Sequence, residues 1–180
     1  MQNPPGRTFL TEIEENVLIT MLELDEGMVL YPYDDATGLR VQAPKGHITI
    51  GIGINLDLNL TRDEAIYLCR GRIKALQIQL MTLPFYQALD TVRKLVLLNV
   101  AFNVGANGLM KFKNMLTAVS RNDWKKATAE LSDSNAARKL GARYSRLADT
   151  LEDGFIAPAY LLKMKMIQDQ FKNFPLPPRN

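Results

Sequence analysis

Apolar residues recur along this chain at two different spacings, and the point where one gives way to the other marks its organisation. Leu10, Ile13, Val17, Met21 and Leu24 follow a helical period, predicting a helix that runs into Leu24-Asp25-Glu26-Gly27, with Gly27 free to terminate it. The pattern then shortens. Val29 to Tyr33, Leu39 to Ala43 and His47 to Ile52 read as short strands, separated by the turn formers Asp34-Asp35-Ala36-Thr37-Gly38 and Ala43-Pro44-Lys45-Gly46. From there onward the period is helical again. Thr61-Arg62-Asp63-Glu64 is a capping-box signature opening a helix through Ile66, Cys69, Ile73 and Leu76, and Pro84 marks the next break. Asp90 caps a helix whose Leu95, Leu98, Phe102 and Val104 make it apolar almost all round up to Gly105, as expected at the centre of a lobe. Asn122-Asp123 precedes a helix carrying Trp124, a core anchor in its simplest reading. Gly141 separates a short helix from one over Ala142 to Glu152, and a last helix is predicted over Ala157 to Lys172.

That order predicts an α+β fold with one small antiparallel sheet confined to one lobe. The chain reads as a single domain, 1–180, with a β-containing lobe over about 26–60 and a helical lobe over about 61–180, the helix over 8–25 packing alongside. One hundred and eighty residues suffice for one well-buried domain. No repeat, low-complexity segment or second binding domain is visible. Tyr160, Met164, Ile167 and Phe171 share one face of the last helix, while Lys163, Lys165 and Lys172 add charge, so a docked helix is favoured over a membrane-active one.

Composition narrows the function classes. With 47% hydrophobic and 23% charged residues the chain fits a soluble globular protein, and apolar runs such as Leu95 to Leu98 fall far short of a membrane span. The first ten residues hold two prolines and no apolar core of a signal peptide, so a substrate outside the cytoplasm requires release by other means. A single cysteine, Cys69, excludes an internal disulfide and reads as a buried structural thiol, given Ile66, Leu68 and Ile73 around it. His47 is the only histidine, which leaves no credible zinc site and no nucleophile motif for a Ser-His-Asp triad. It reads as a half-exposed strand residue. Gly51-Ile52-Gly53 is not a dinucleotide fingerprint, since Leu56 stands at the third glycine position.

Charge is uneven: residues 1–60 carry 3 basic and 9 acidic side chains, residues 61–180 carry 19 and 10. The basic part suits an anionic polymer, but no nucleic-acid motif accompanies it, and a solvated basic surface is the favoured reading.

The candidate chemistry lies where helix gives way to strand. Glu26 stands at a helix end, Asp35 in the first turn and Thr49 on the last strand. An acid able to protonate a leaving group is thus followed by an acid and a hydroxyl able to hold a water. Taken singly these residues are ordinary: a surface helix-end acid, a turn former, a β-former. Their joint arrangement with Gly27, Gly51 and Gly53 is what raises the functional reading.

The stretches Glu26-Gly27-Met28, Tyr33-Asp34-Asp35 and Gly46-His47-Ile48-Thr49-Ile50-Gly51-Ile52-Gly53 resemble the active-site region of the phage T4-type lysozyme and endolysin family, glycoside hydrolase family 24. Asn99-Val100-Ala101-Phe102-Asn103-Val104-Gly105 is similar to that family's central helix, Phe112-Lys113-Asn114 to its Phe-x-Asn, and Ser134 to Gly154 to its closing segment, so most of 10–154 is covered. The chain departs at Ile54, where the family commonly has His or Arg, at Asn135 and Ala136, where a Trp is usual, and in a longer 35–49 loop.

The resemblance implies a lysozyme-like fold and a muramidase that hydrolyses the β-1,4 bond between N-acetylmuramic acid and N-acetylglucosamine in peptidoglycan. Glu26 would be the general acid, with Asp35 and Thr49 positioning the water on the opposite face and inverting the anomeric carbon. Arg143 matches the arginine that orients the acid, and Phe102 and Asn103 match substrate-binding positions, although core packing suits Phe102 equally. A lytic transglycosylase on the same scaffold, and an inactive peptidoglycan-binding or virion structural protein, remain the alternatives. The implied partner is the glycan strand, with no cofactor, metal, nucleic acid or stable membrane insertion. The expected setting is a monomer made in the host cytoplasm and acting on the wall after release, holin-dependent if phage-encoded.

Overall fold

The computed structural model describes residues 9–43 and 45–165. Helix α1 (Glu12–Glu26) opens on a capping box, the Thr11 side chain accepting from the Glu14 N–H while the Glu14 carboxylate accepts from the Thr11 N–H at 2.7 Å. This reciprocal pairing starts the helix two residues later than the apolar pattern alone suggests. The helix stops at Gly27, whose φ of +79° is costly for any residue with a Cβ.

The β-region is smaller than the sequence predicts. One hairpin forms, β1 (Thr49–Ile50) against β2 (Ile54–Asn55), antiparallel with Thr49 opposite Asn55 and Ile50 opposite Ile54. Gly51 and Gly53, both at positive φ, turn the chain inside the run read as one strand. The two earlier runs contribute a single bridge between Tyr33 and Arg40. Strands persist when a face is buried against something, and here Leu39, Ile52 and Leu58 are exposed by 69%, 100% and 79%. His47 lies just before β1, exposed, with Nδ1 2.8 Å from Asp57 Oδ2.

The predicted helices of the larger lobe appear in order, with two more, over Ala106–Leu109 and Lys113–Ser120, where the sequence pattern predicts none. Helix α2 (Arg62–Leu80) starts on the Thr61 and Glu64 capping box, and α3 (Thr91–Val104) on Asp90, whose side chain accepts from the Arg93 N–H at 2.9 Å. A turn α4 (Ala106–Leu109), α5 (Lys113–Ser120), α6 (Trp124–Ser132), α7 (Asn135–Lys139), α8 (Gly141–Asp153) and α9 (Pro158–Lys165) complete it. As its composition demands, α3 is central, with Leu95, Val96, Leu97, Leu98, Val100 and Ala101 all buried. Trp124 sits at the margin of the core, half-buried beneath the Arg93 guanidinium, which lies 3.9 Å from the ring centroid. Arg93 also donates to the carbonyls of Leu151 and Glu152, closing the end of α8. Gly154 ends α8 at a φ of +71°, a conformation that strains any residue with a Cβ, and a Cβ there would also displace the Arg93 guanidinium. The result is an α+β, lysozyme-like architecture.

One buried carboxylate joins four helices. The Asp25 side chain is fully buried near the end of α1. Its Oδ1 accepts from Arg146 Nη2 of α8 at 2.6 Å, and its Oδ2 accepts from Tyr160 Oη of α9 at 2.7 Å and Asn99 Nδ2 of α3 at 3.0 Å. Arg143 Nε of α8 stands 3.7 Å from the same Oδ2. Burial works against the Arg146 charge, but the bonds to Asp25 and Tyr160 outweigh it and hold the proton more tightly than usual. Burial, reinforced by the Asp25 charge, pushes the Tyr160 phenol far up and keeps it a donor.

Two outcomes are expected. Asp25→Ala leaves the part-buried Arg146 without its anion and Tyr160 and Asn99 without their acceptor, and should cost about 3–5 kcal/mol in denaturant unfolding; a loss within experimental error would remove Asp25 as the tie. Helix α9 buries Tyr160 and Met164 against the rest, following Ile156 and Ala157. The predicted face continues through Ile167 and Phe171, which with Lys172 lie outside the described residues. Truncation after Gly154 should therefore lower the melting temperature clearly, since each large side chain buried is worth about 1.5–3 kcal/mol, and an unchanged melting temperature would contradict this packing.

Candidate active site

Glu26 follows the buried Asp25 directly, and about 100° of helical rotation turns it to a different side of α1. Its side chain is 39% exposed at the helix end, while that of its partner Arg143 is 5% exposed. Arg143 Nη1 donates to Glu26 Oε1. The rest of the guanidinium is held by α3: Nη2 donates to Asn99 Oδ1 at 2.7 Å and to the Asn99 carbonyl at 3.2 Å, and Nε donates to Asn99 Oδ1 at 3.2 Å. Asn99 thus fixes the arginine and the arginine fixes one oxygen of the acid. Oε2 of Glu26 has no protein partner among the described residues.

A cleft of about 180 Å³ opens beside this carboxyl, lined by Glu26, Gly27, Met28, Val29, Cys69 and Phe102 among others. Phe102 accordingly combines partial packing on the core with a place in the cleft wall. Cys69 is half-buried and reaches the same wall. Burial pushes its thiol up to about 11 against the opposing pull of Arg70, so it stays protonated and unreactive at neutral pH. Arg62, first residue of α2, grips Glu23 of α1 through two bonds of 3.1 and 2.9 Å and lies 3.2 Å from Met28 Sδ. The bond to Arg62 holds the Glu23 carboxyl below its ordinary range in spite of burial, with Lys163 adding to the effect. This grip joins the start of the helical lobe to the cleft.

Asp35 lies in the turn after Tyr33, exposed. Asp34, its neighbour, builds that turn: its Oδ1 accepts from the Ala36 N–H at 2.9 Å, and its carbonyl accepts from Gly38 at 2.7 Å. Asp35 is thereby left to solvent. Thr49 begins β1, exposed, its hydroxyl donating to the His47 carbonyl at 3.4 Å. Among the described residues no hydrogen bond or ion pair links either of them to Glu26. Asn103 stands in the last turn of α3, and its Oδ1 accepts from Tyr144 Oη at 3.1 Å. Ile54 lies in β2, 49% exposed. A wider groove of about 550 Å³ crosses the helical lobe, where Phe112, Asn114 and Ser134 from the later motifs converge. Among the described residues no three His, Cys, Asp or Glu side chains stand close enough to hold a metal, and no helix is long and apolar enough to cross a membrane.

Sequence reasoning gave no polar role to Asp25, Asn99, Tyr144, Arg146 or Tyr160, although Asn99 opens the central-helix motif and Tyr160 stands on the face predicted to dock. Two of them carried a signal. Asp25 follows Leu18, Met21 and Leu22 on the buried side of α1, and Asn99 interrupts an otherwise apolar helix, both places where a polar residue must find a partner.

No family model matches the chain. It is 28% identical over 165 residues to a probable T4-type lysozyme 2 of Dictyostelium discoideum, an alignment covering 74% of this chain and 92% of that protein. A probable T4-type lysozyme 1 of the same organism is 24% identical over the same shares. The pre-baseplate central spike protein Gp5 of Enterobacteria phage T4 is 30% identical over 180 residues, covering 81% of this chain and 30% of that longer protein. Over most of this chain and nearly all of two relatives, in a helix–hairpin–helices architecture of lysozyme type, the chain is similar to T4-type lysozymes.

Proposed function

We propose that this protein is a lysozyme-type peptidoglycan hydrolase, a muramidase cleaving the β-1,4 bond between N-acetylmuramic acid and N-acetylglucosamine. The observation that carries the proposal is Glu26, a half-exposed acid at a helix end beside a cleft, with one oxygen tied by an arginine that is itself clamped by Asn99. In this reading the free oxygen of Glu26 gives its proton to the departing glycosidic oxygen as the bond to the anomeric carbon breaks. Water then adds to that carbon from the other face and releases its own proton to Asp35, with the Thr49 hydroxyl directing it. The solvated position of Asp35 and the exposed hydroxyl of Thr49 support these roles. Arg143 orients the acid, and the bound glycan excludes water from the site at the moment of transfer. Phe102 and Asn103 would contact the sugar.

The enzyme is proposed to work as a monomer on glycan strands, reaching the wall after release from the cell that makes it. The similarity to a phage spike protein favours a second reading, in which the same domain belongs to a virion and acts there on peptidoglycan or only binds it.

Glu26→Gln should retain the wild-type melting temperature and lose at least about 100-fold in the rate of peptidoglycan clearing, the lower end of general-acid contributions. A folded variant of near-normal rate would remove Glu26 as the acid. NMR of freshly released products should show reducing ends of inverted, α configuration. Predominant 1,6-anhydromuramyl ends would mean a transglycosylase, and no release at all a binding protein.

A further inference from the structure

Successive residues of α8 reach two residues of α3 that lie one turn apart. Arg143 grips Asn99 and through it serves Glu26, whereas Tyr144 Oη donates to Oδ1 of Asn103 at 3.1 Å. Tyr144 is 1% exposed. Burial pushes its phenol up, and the Glu26 charge adds to this against the opposing pull of Arg143, so the hydroxyl stays neutral with one proton to give. That proton decides the orientation of the neighbouring amide. With Oδ1 accepting from Tyr144, reversing the Asn103 amide would turn the bond round, Nδ2 donating to Oη, and leave the buried phenol proton without an acceptor among the described residues. Nδ2 itself has no partner among the described residues, and Asn103 is only half-buried. In sequence it follows Phe102, which lines the cleft beside Glu26, and its place at the substrate is the one given to it in the proposed function.

We infer that Tyr144 is a positioning residue, holding the Asn103 amide so that its N–H donors meet an acceptor oxygen of the bound sugar. The inference rests on the muramidase reading and adds a polarity to it: Asn103 acts on substrate as a donor. A donor held in place before binding spares the ordering cost that a freely rotating amide would incur. The phenol never touches substrate.

The test is a double-mutant cycle on the full chain with soluble peptidoglycan fragments, comparing wild type, Tyr144→Phe, Asn103→Ala and the double variant, with melting temperatures alongside. Tyr144→Phe should lower kcat/KM about three- to tenfold, the worth of one neutral hydrogen bond, without moving the pH–rate profile. In the Asn103→Ala background the same change should have no further effect. An equal loss in both backgrounds, or no loss in either, overturns the inference, because a merely structural phenol would act regardless of Asn103. Asn103→Asp serves as a second variant should Tyr144→Phe not fold. It keeps the acceptor for Tyr144 but removes the donors, and should lose about tenfold or more at neutral pH; full activity overturns the inference. Wild-type protein that releases no reducing ends overturns the muramidase reading and the inference together, whereas active wild type with equally active variants overturns the inference alone.

Discussion

A carboxylate taken fully out of water has to be matched by donors on every side, and that requirement at Asp25 organises the region around the candidate site. Its oxygens gather Arg146, Tyr160 and Asn99, with Arg143 close by, so α1, α3, α8 and α9 are tied together at one charge. Such networks contribute more to specificity than to net stability, since desolvation offsets much of the attraction. Here the specificity is functional. Glu26 is the next residue along, and a helix converts that adjacency into one side chain locked in the interior and the other held at the surface of a cleft.

The same economy extends along α8. Arg143, Tyr144 and Arg146 all reach polar atoms on other helices, and α3 offers them Asn99 and Asn103 from a helix otherwise committed to the core. Asn99 and Asn103 are therefore the polar residues of α3 that meet α8. Packing and site geometry share one interface: whatever loosens α3 from α8 also frees the arginine that orients the acid.

The β-lobe rests on less. Its hairpin has two residues in each strand, and much of its apolar surface stays in contact with water. Arg62 of α2 ties it to the rest, gripping Glu23 of α1 and lying against Met28, while the Leu60 N–H to the Leu30 carbonyl at 2.6 Å closes the lobe on itself. Asp35 and Thr49 both sit on this lobe. In the proposed mechanism, the distance between the proton donor and the groups holding water thus depends on the most sparsely packed part of the molecule.

Local rules sufficed for much of this protein. Thr11 and Thr61 with their partner glutamates, Asp90 and Asp123 declared helix starts, and the largely apolar run Leu95–Phe102 of α3 declared its burial, because capping and periodicity act over four residues or fewer. The motifs around Glu26 and Thr49 named the candidate chemistry through a resemblance that holds along most of the chain. Strand extent was not readable, since Val29 to Tyr33 and Leu39 to Ala43 have the right alternation but find nothing to pack against, and pairing is decided by neighbours distant in sequence. Nor was the Asp25 cluster, whose members lie up to 135 residues apart. Asp25 and Glu26 are chemically near-identical letters side by side; only the positions of α3, α8 and α9 make one a buried tie and leave the other at the cleft. That distinction is a matter of desolvation, which depends on what the folded chain places around a charge.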